Sequence, residues 1–288
     1  MIGAVQLGPM VLPFTLLLVF ASAGSTLALG KWLSRSSEEV DRVLWHALLV
    51  GVVLARIAFV YEYRTLYLTS PLSILDIRDG GWNATAGLMG AWMIALYRER
   101  RAPAIRKPLL WALSLGSAVF CAGIAVLALQ SGGGKKLPQL SFAALEGETV
   151  HLNSFEGKPT VVNLWATWCP PCAREMPVFR DAQGQHPEVN FVFLNQGEEP
   201  REVSRWLASR GLTLRNVLID PKRQVGAAFQ QQGFPTTLFF NAKGELVSSR
   251  IGELSSPTLN EKVEALPKMT VARQGWHDFC RIFMLDHC

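Results

Sequence analysis

Long uninterrupted apolar runs fill the first half of the chain, whereas shorter β-branched and amphipathic runs separated by turn residues fill the second. No charged residue occurs from Pro9 to Gly30, a run long enough to cross about 30 Å of hydrocarbon as a helix. Val43 to Tyr61 carries Arg56 as its one Asp, Glu, Lys or Arg, and Gly80 to Tyr97 and Pro108 to Gln130 carry none. The pattern predicts an all-α membrane domain over residues 1–130, with spans at about 9–30, 43–61, 80–97 and 108–130. A cleaved signal peptide is the alternative for the first run, but that run lacks a basic start and three more apolar runs follow it.

Residues 131–136, SGGGKK, read as a flexible linker. After it come a small hairpin around Gly147, a β-branched run Thr160–Trp165 and a helix entered at Pro170. A strand Asn190–Asn195, a helix Arg201–Ser209 and a strand near Val217–Ile219 follow. Two further strands, Thr236–Phe240 and Leu246–Ile251, flank the turn Asn241–Gly244, and a last helix runs from Pro257 to about Leu266. The alternation predicts an α/β domain with mixed strand pairing over 137–266, with an extension over 267–288.

Composition sharpens the division. Of the 288 residues 49% are hydrophobic and 18% charged, and the apolar excess sits in the first half. Through Lys136 there are 13 Lys and Arg against 7 Asp and Glu; the remainder has 15 against 16. The basic surplus therefore belongs to the membrane half, and the nearly neutral second half offers no cationic face for a nucleic acid. Lys31, Arg35 and Arg42 follow the first run and Arg98, Arg100, Arg101, Arg106 and Lys107 the third, while Arg64 and Arg78 are alone after the second. Because cation-rich loops stay cytoplasmic, both termini and the second domain are expected outside. In a bacterium this is a multi-pass inner-membrane protein whose second domain lies in the periplasm, where disulfide chemistry is routine.

Chemistry is concentrated in ATWCPPCAREMP, residues 166–177. Cys169 follows an apolar strand and opens a helix, whose N-terminal amides and dipole favour a thiolate; Cys172 lies one turn on, close enough to attack a mixed disulfide. Such spacing suits a reversible dithiol. A structural disulfide and half of a zinc site are the alternatives, the latter needing a second ligand pair that this domain does not supply nearby.

Gly157-Lys158-Pro159, the strand VVNLWATWC, Glu175-Met176-Pro177 after the second cysteine, and Gly233-Phe234-Pro235-Thr236-Thr237 recur in order. On these residues the segment from about Leu137 to Leu266 resembles the thioredoxin superfamily, and within it the membrane-anchored TlpA and ResA type of thiol-disulfide oxidoreductase, with the cytochrome c maturation thioredoxins next. The resemblance implies a thioredoxin fold, a mixed sheet flanked by helices, fused to the membrane domain. It also implies that Cys169 is the attacking thiolate, Cys172 the resolving thiol and Pro235 a cis-proline facing them. A cis bond at Pro235 would leave Phe234 free to pair with an extended substrate, with Trp168 and Pro170 forming the site wall.

Glu175, one turn beyond Cys172, is a candidate for exchanging protons with the dithiol, because Asn163 stands where ordinary thioredoxins carry a buried aspartate. Glu198 matches a second acidic position of the ResA type and is a candidate proton relay. No cofactor beyond the Cys169/Cys172 disulfide and no bound metal is implied. Expected partners are periplasmic protein thiols and disulfides, a separate membrane electron donor and the bilayer. Net reduction is expected, of proteins whose cysteines must be reduced before they bind haem or copper; a disulfide-donating oxidase and a membrane-tethered binding or assembly module with a redox switch are the alternatives.

Gly51 to Tyr61, Gly80-Gly81 and Ala86-Gly87-Leu88-Met89-Gly90 resemble the opening spans of prolipoprotein diacylglyceryl transferase. Where that family carries a histidine before paired glycines, this chain has Thr85 and Ala86, which speaks against transferase chemistry. Arg56 within a span needs a partner, such as Glu62, Asp76 or a lipid phosphate. Cys121 is alone in its span and reads as a small buried residue. In the tail, Cys280 and Cys288 beside His277 and His287 leave a disulfide, an auxiliary redox pair and a metal site open.

Overall fold

The structure, a computed structural model, describes residues 4–7, 10–35, 37–68, 74–76, 79–131, 135–231 and 233–266. The tail with Cys280, Cys288, His277 and His287 lies outside the described residues. The chain divides into two compact units, one of Gly3–Leu129 and one running from Gln130.

In the first unit, β1 (Ala4–Leu7) pairs antiparallel with β2 (Met10–Pro13), and the helices α1 (Phe14–Leu33), α2 (Glu38–Glu62), α3 (Arg64–Leu68), α4 (Ala84–Arg101) and α5 (Arg106–Ser131) follow. The expected first span thus starts later, at Phe14, because Met10–Pro13 is taken up in strand pairing. Similarly, helix α4, in the region of the third expected span, starts at Ala84 rather than Gly80: Asn83 caps it, its side chain accepting the Ala86 N–H at 3.0 Å. Among the described residues, three helices are long and apolar enough to cross a membrane, Phe14–Leu33, Glu38–Glu62 and Arg106–Leu127. Helix α4 is not among them, since its 18 residues end in Arg98-Glu99-Arg100-Arg101.

Small residues bring α2 and α4 together. A Cβ on Gly51 would lie 2.9 Å from the Gly87 carbonyl oxygen, and one on Gly87 3.0 Å from the Ala55 Cβ. Beside this contact Val43, Leu44, Ala95, Leu109 and Ala112 form a buried cluster. Arg56, buried on α2, takes Asp79 as a charge partner, a residue that the sequence analysis did not name. Its Nη1 meets Asp79 Oδ1 at 3.0 Å, and its remaining donors reach the carbonyls of Ile74, Asp76 and Gly81. Asp79 also accepts from the Tyr67 hydroxyl at 2.9 Å and the Gly81 N–H at 3.0 Å. A buried ion pair holds when such surrounding hydrogen bonds offset desolvation, and this one ties the segment before α4 back onto α2. Cys121 is exposed on α5 rather than buried.

The second unit is built on β3 (Ser141–Ala144), β4 (Thr149–His151), β5 (Thr160–Trp165), α6 (Pro170–Gln185), β6 (Asn190–Gln196), α7 (Pro200–Ser209), β7 (Val217–Asp220), α8 (Gln224–Ala228), β8 (Thr236–Phe240), β9 (Leu246–Ile251) and α9 (256–266). Its seven-stranded sheet has the order β4-β3-β7-β6-β5-β8-β9; β5, β6 and β7 are parallel, and the outer strands join antiparallel. This is the thioredoxin-type mixed sheet flanked by helices. Strand alternation makes two cores. Val161, Trp165, Phe191, Phe193 and Phe239 face the side of α6, α7 and α9, with Met176, Phe179, Leu207 and Val263. Val162, Leu164, Val192, Leu194, Leu238 and Phe240 face the other side, with Val225 and Phe229. The same alternation sets Asn163, between Val161 and Trp165, on the face that α6 covers.

Candidate active site

The central strand β5 delivers the chain, through Ala166–Trp168, to the N-terminus of α6. Cys169 is the cap residue, its backbone extended at φ −91°, ψ 107°, and its Sγ accepts the Cys172 N–H at 3.2 Å. Pro170 follows in the first turn, where the missing N–H costs no helix hydrogen bond and the fixed φ suits the helix. Cys169 and Cys172 are disulfide-bonded, and both are buried. The cap position gives Cys169 the helix amides that stabilise a sulfur anion when the bond is reduced.

One turn beyond Cys172, Glu175 is fully buried beneath the sheet. Its Oε1 accepts from Asn163 Nδ2 at 2.8 Å, and its Oε2 from the Leu254 N–H at 3.1 Å. Burial pushes this carboxyl up from 4.5 to about 8; the Asn163 and Leu254 donors pull the other way, and the charge of Glu253 adds to the rise. Asn163 also reaches Thr237 Oγ1 on β8 at 3.2 Å, so one amide ties α6 to two strands.

Glu198, just after β6, is used differently. Its carboxylate accepts the Thr167 N–H at 2.8 Å, the Thr167 hydroxyl, and Asn195 Nδ2 at 2.6 Å. Two of these contacts fix Thr167, in the turn that leads into Trp168 and Cys169, and the third ties the acid to the end of β6.

Across from the helix start, the Phe234–Pro235 peptide is cis. The Phe234 ring meets Trp168 edge-on, with centroids 5.4 Å apart, and Trp168 is 59% exposed. After β9 the chain passes close to both parts of the site: the Gly252 N–H donates to the Pro235 carbonyl at 2.9 Å, and Leu254 holds Glu175. Between them, Glu253 pairs with Arg174 of α6, Nη2 to Oε2 2.6 Å and Nε to Oε2 2.9 Å.

The structure thus gathers Trp168, Cys169, Pro170, Cys172 and Glu175 at the β5–α6 junction, with Phe234 beside Trp168 and Glu198 behind Thr167. Arg56 belongs to the other unit. Sequence reasoning missed Thr167, Asn195, Arg174 and the 252–254 segment. Asn195 carried a weak signal, three residues before Glu198; the contacts of Leu254 and Glu253, 79 positions from their partners, carried none. Among the described residues no cluster of His, Cys, Asp and Glu is placed to hold a metal ion.

The redoxin family model matches residues 133–266, and the prolipoprotein diacylglyceryl transferase model matches residues 4–127. Over 124 residues the chain is 34% identical to the thiol-disulfide oxidoreductase ResA of Halalkalibacterium halodurans, covering 42% of this chain and 70% of that protein. It is 27% identical over 125 residues to the sporulation thiol-disulfide oxidoreductase A of Bacillus subtilis, covering 42% of this chain and 74% of that protein. The solved structure of StoA from Bacillus subtilis aligns at 26% identity with a TM-score of 0.39, over 44% of this chain and 99% of that one. Through its C-terminal unit the chain is a protein-disulfide oxidoreductase and belongs to the ResA-type thiol-disulfide oxidoreductases, joined here to an N-terminal region that the prolipoprotein diacylglyceryl transferase model matches.

Proposed function

We propose that this protein is a membrane-anchored reductase of periplasmic protein disulfides, working through Cys169 and Cys172 with Glu175 as their proton partner. The Cys169 thiolate attacks one sulfur of a substrate disulfide; that bond breaks and the departing thiolate takes a proton. Cys172, giving its proton to the ionised form of Glu175, attacks Cys169 Sγ in the mixed disulfide; the bond from Cys169 to the substrate breaks, and the second substrate thiolate leaves and takes that proton back from Glu175. Two electrons pass to the substrate and the Cys169–Cys172 disulfide remains, to be re-reduced by a separate membrane dithiol donor.

The observation that carries this reading is the buried Glu175 carboxyl, whose proton affinity is raised to about 8, close to that of an ordinary thiol. A proton passes between groups so matched at little cost, which supports Glu175 over Glu198, whose oxygens are committed to Thr167 and Asn195. Trp168 and Phe234 form an aromatic wall for an extended substrate segment lying along the cis-proline. Exposed aromatics near helix ends, Trp32, Trp45, Tyr97 and Trp111 towards one side and Tyr61 and Trp82 towards the other, support a bilayer around the first unit. The cation-rich loops support a cytoplasmic location for the first of these sides and a periplasmic one for the redox unit of a bacterial inner-membrane protein. Substrates are proteins whose cysteines must be free before haem or copper is attached.

The experiment is mixed-disulfide trapping with a disulfide-bonded substrate peptide and the full-length protein, Cys121, Cys280 and Cys288 replaced by Ser. Cys172→Ser accumulates the covalent complex and Cys169→Ser forms none. Equal trapping by both variants would overturn the assignment.

A further inference from the structure

The segment Gly252-Glu253-Leu254 bonds three separate parts of the site in consecutive residues. Gly252 holds the Pro235 carbonyl, Glu253 holds Arg174, and Leu254 presents its N–H to Glu175. Gly252 adopts φ +97°, in the left-handed region that glycine enters without strain, so the chain turns sharply out of β9 into these contacts. The Arg174–Glu253 pair is fork-shaped: Nε approaches both carboxylate oxygens, at 3.2 and 2.9 Å, and Nη2 approaches Oε2 at 2.6 Å. Arg174 and Glu175 are adjacent on α6, and Glu253 and Leu254 are adjacent on the segment. Two neighbouring residues of one element are therefore held by two neighbouring residues of the other, one contact half-exposed and the other buried.

We propose that Arg174 and Glu253 form a latch that keeps the Leu254 N–H on the Glu175 carboxylate, which makes both of them positioning residues for the proton step of dithiol exchange. The inference rests on Glu175 being the proton partner of the dithiol. An exposed ion pair adds little to stability, but a bidentate one fixes direction, and here the direction decides whether a buried carboxylate keeps one of its two donors. With the latch open, Leu254 is free to move away, the anion of Glu175 loses a hydrogen bond, and the carboxyl holds its proton to higher pH. Among the described residues the charged groups around Glu175 are few, and in the reduced protein the Cys169 thiolate at the start of its helix is one of them. Arg174 and, in the reduced protein, the Cys172 thiol belong to its own helix; Glu253 belongs to the segment; β5 and β8 contribute the neutral Asn163 and Thr237.

The test uses the reduced full-length protein in detergent, with Cys121, Cys280 and Cys288 replaced by Ser, and follows Cys169 alkylation by iodoacetamide against pH. Arg174→Gln and Glu253→Gln differ in the sign of the charge removed, yet both open the latch. Both are expected to move the Glu175-dependent inflection upward by roughly one pH unit, the scale of one lost hydrogen bond to a carboxylate. The reversed pair Arg174→Glu with Glu253→Arg restores the wild-type profile, and in a Glu175→Gln background none of these changes moves it. Shifts of opposite sign for the two single variants, or shifts that persist without Glu175, would mean that the charges act directly and would overturn the latch. Single variants with the wild-type profile, while Glu175→Gln alters it, would also overturn the latch and leave Glu175 as proton partner. A profile that Glu175→Gln leaves unchanged would remove the proton-partner assignment and the latch with it.

Discussion

Asn163 and Glu175 meet at 2.8 Å in the interior, a neutral amide donating to a carboxyl that burial keeps protonated to about pH 8. The other amide atom, Asn163 Oδ1, is buried and has no hydrogen-bond partner among the described residues. A half-turn of the Asn163 side chain exchanges donor for acceptor, so the amide serves the carboxylate in one orientation and the carboxylic acid in the other. An aspartate at 163 would set two acids against each other; an asparagine leaves the proton to Glu175 alone.

Glu175 therefore makes stability depend on pH in a definite direction. The folded protein holds a proton at this site between pH 4.5 and about 8, where the unfolded chain has released it. Its stabilising contribution is complete below 4.5, declines as pH rises, and is gone above about 8. In Glu175→Gln this decline disappears. The thermal midpoint of the oxidised C-terminal unit, followed in the full-length protein from pH 5 to 9, is expected to fall by several degrees in the wild type and to stay more nearly level in the variant.

Glu198→Gln separates an anchor from a relay. The variant loses charge-assisted bonds to Thr167 and Asn195, which costs about 1–3 kcal/mol. Exchange slows severalfold because the turn before Cys169 loosens, but the pH profile of Cys169 alkylation keeps its shape. A displaced inflection would return Glu198 to the proton path.

Trp168→Ala tests the aromatic wall. The ring is 59% exposed and its described aromatic contact is the edge of Phe234, so its removal costs about 1 kcal/mol or less of stability. KM for a substrate peptide is expected to rise more than kcat falls, as steady-state kinetics with a disulfide-bonded peptide would report.

In the membrane unit, Arg56→Met strands Asp79 in a buried position and is expected to cost about 3–5 kcal/mol. Pairing it with Asp79→Leu removes both charges and recovers part of the loss. Thermal midpoints of the detergent-solubilised variants check the order: wild type, double variant, single variant.

Much of this architecture was legible from local signals. The β-branched run of β5, the prolines at the start of α6 and the turn Asn241–Gly244 each act over a few residues, and those elements lie where pattern reasoning put them. Elements whose ends depend on their partners were less legible. Met10–Pro13 reads as part of a span until Ala4–Leu7 pairs with it, and Gly80–Trp82 reads as helix until the Asn83 cap is seen. Asp79 as a partner of Arg56 was missed for the same reason: it lies 23 residues away, beyond a connection whose path local pattern does not set. In the active site the cysteines and Glu175 stand in one short motif. What tunes them, Leu254 and the Arg174–Glu253 pair, arrives from the far end of the domain through a backbone amide that no side-chain type announces.

The most direct measurement is the redox state of Cys169 and Cys172 in living cells, fixed by acid quench and alkylation, with Cys121, Cys280 and Cys288 replaced by Ser. A periplasmic reductase is kept away from the oxidising poise of its surroundings by its donor. The account predicts a mostly reduced pair that becomes oxidised when the membrane thiol donor is removed. A mostly oxidised pair, unchanged by that removal, would contradict it and make the protein a disulfide donor.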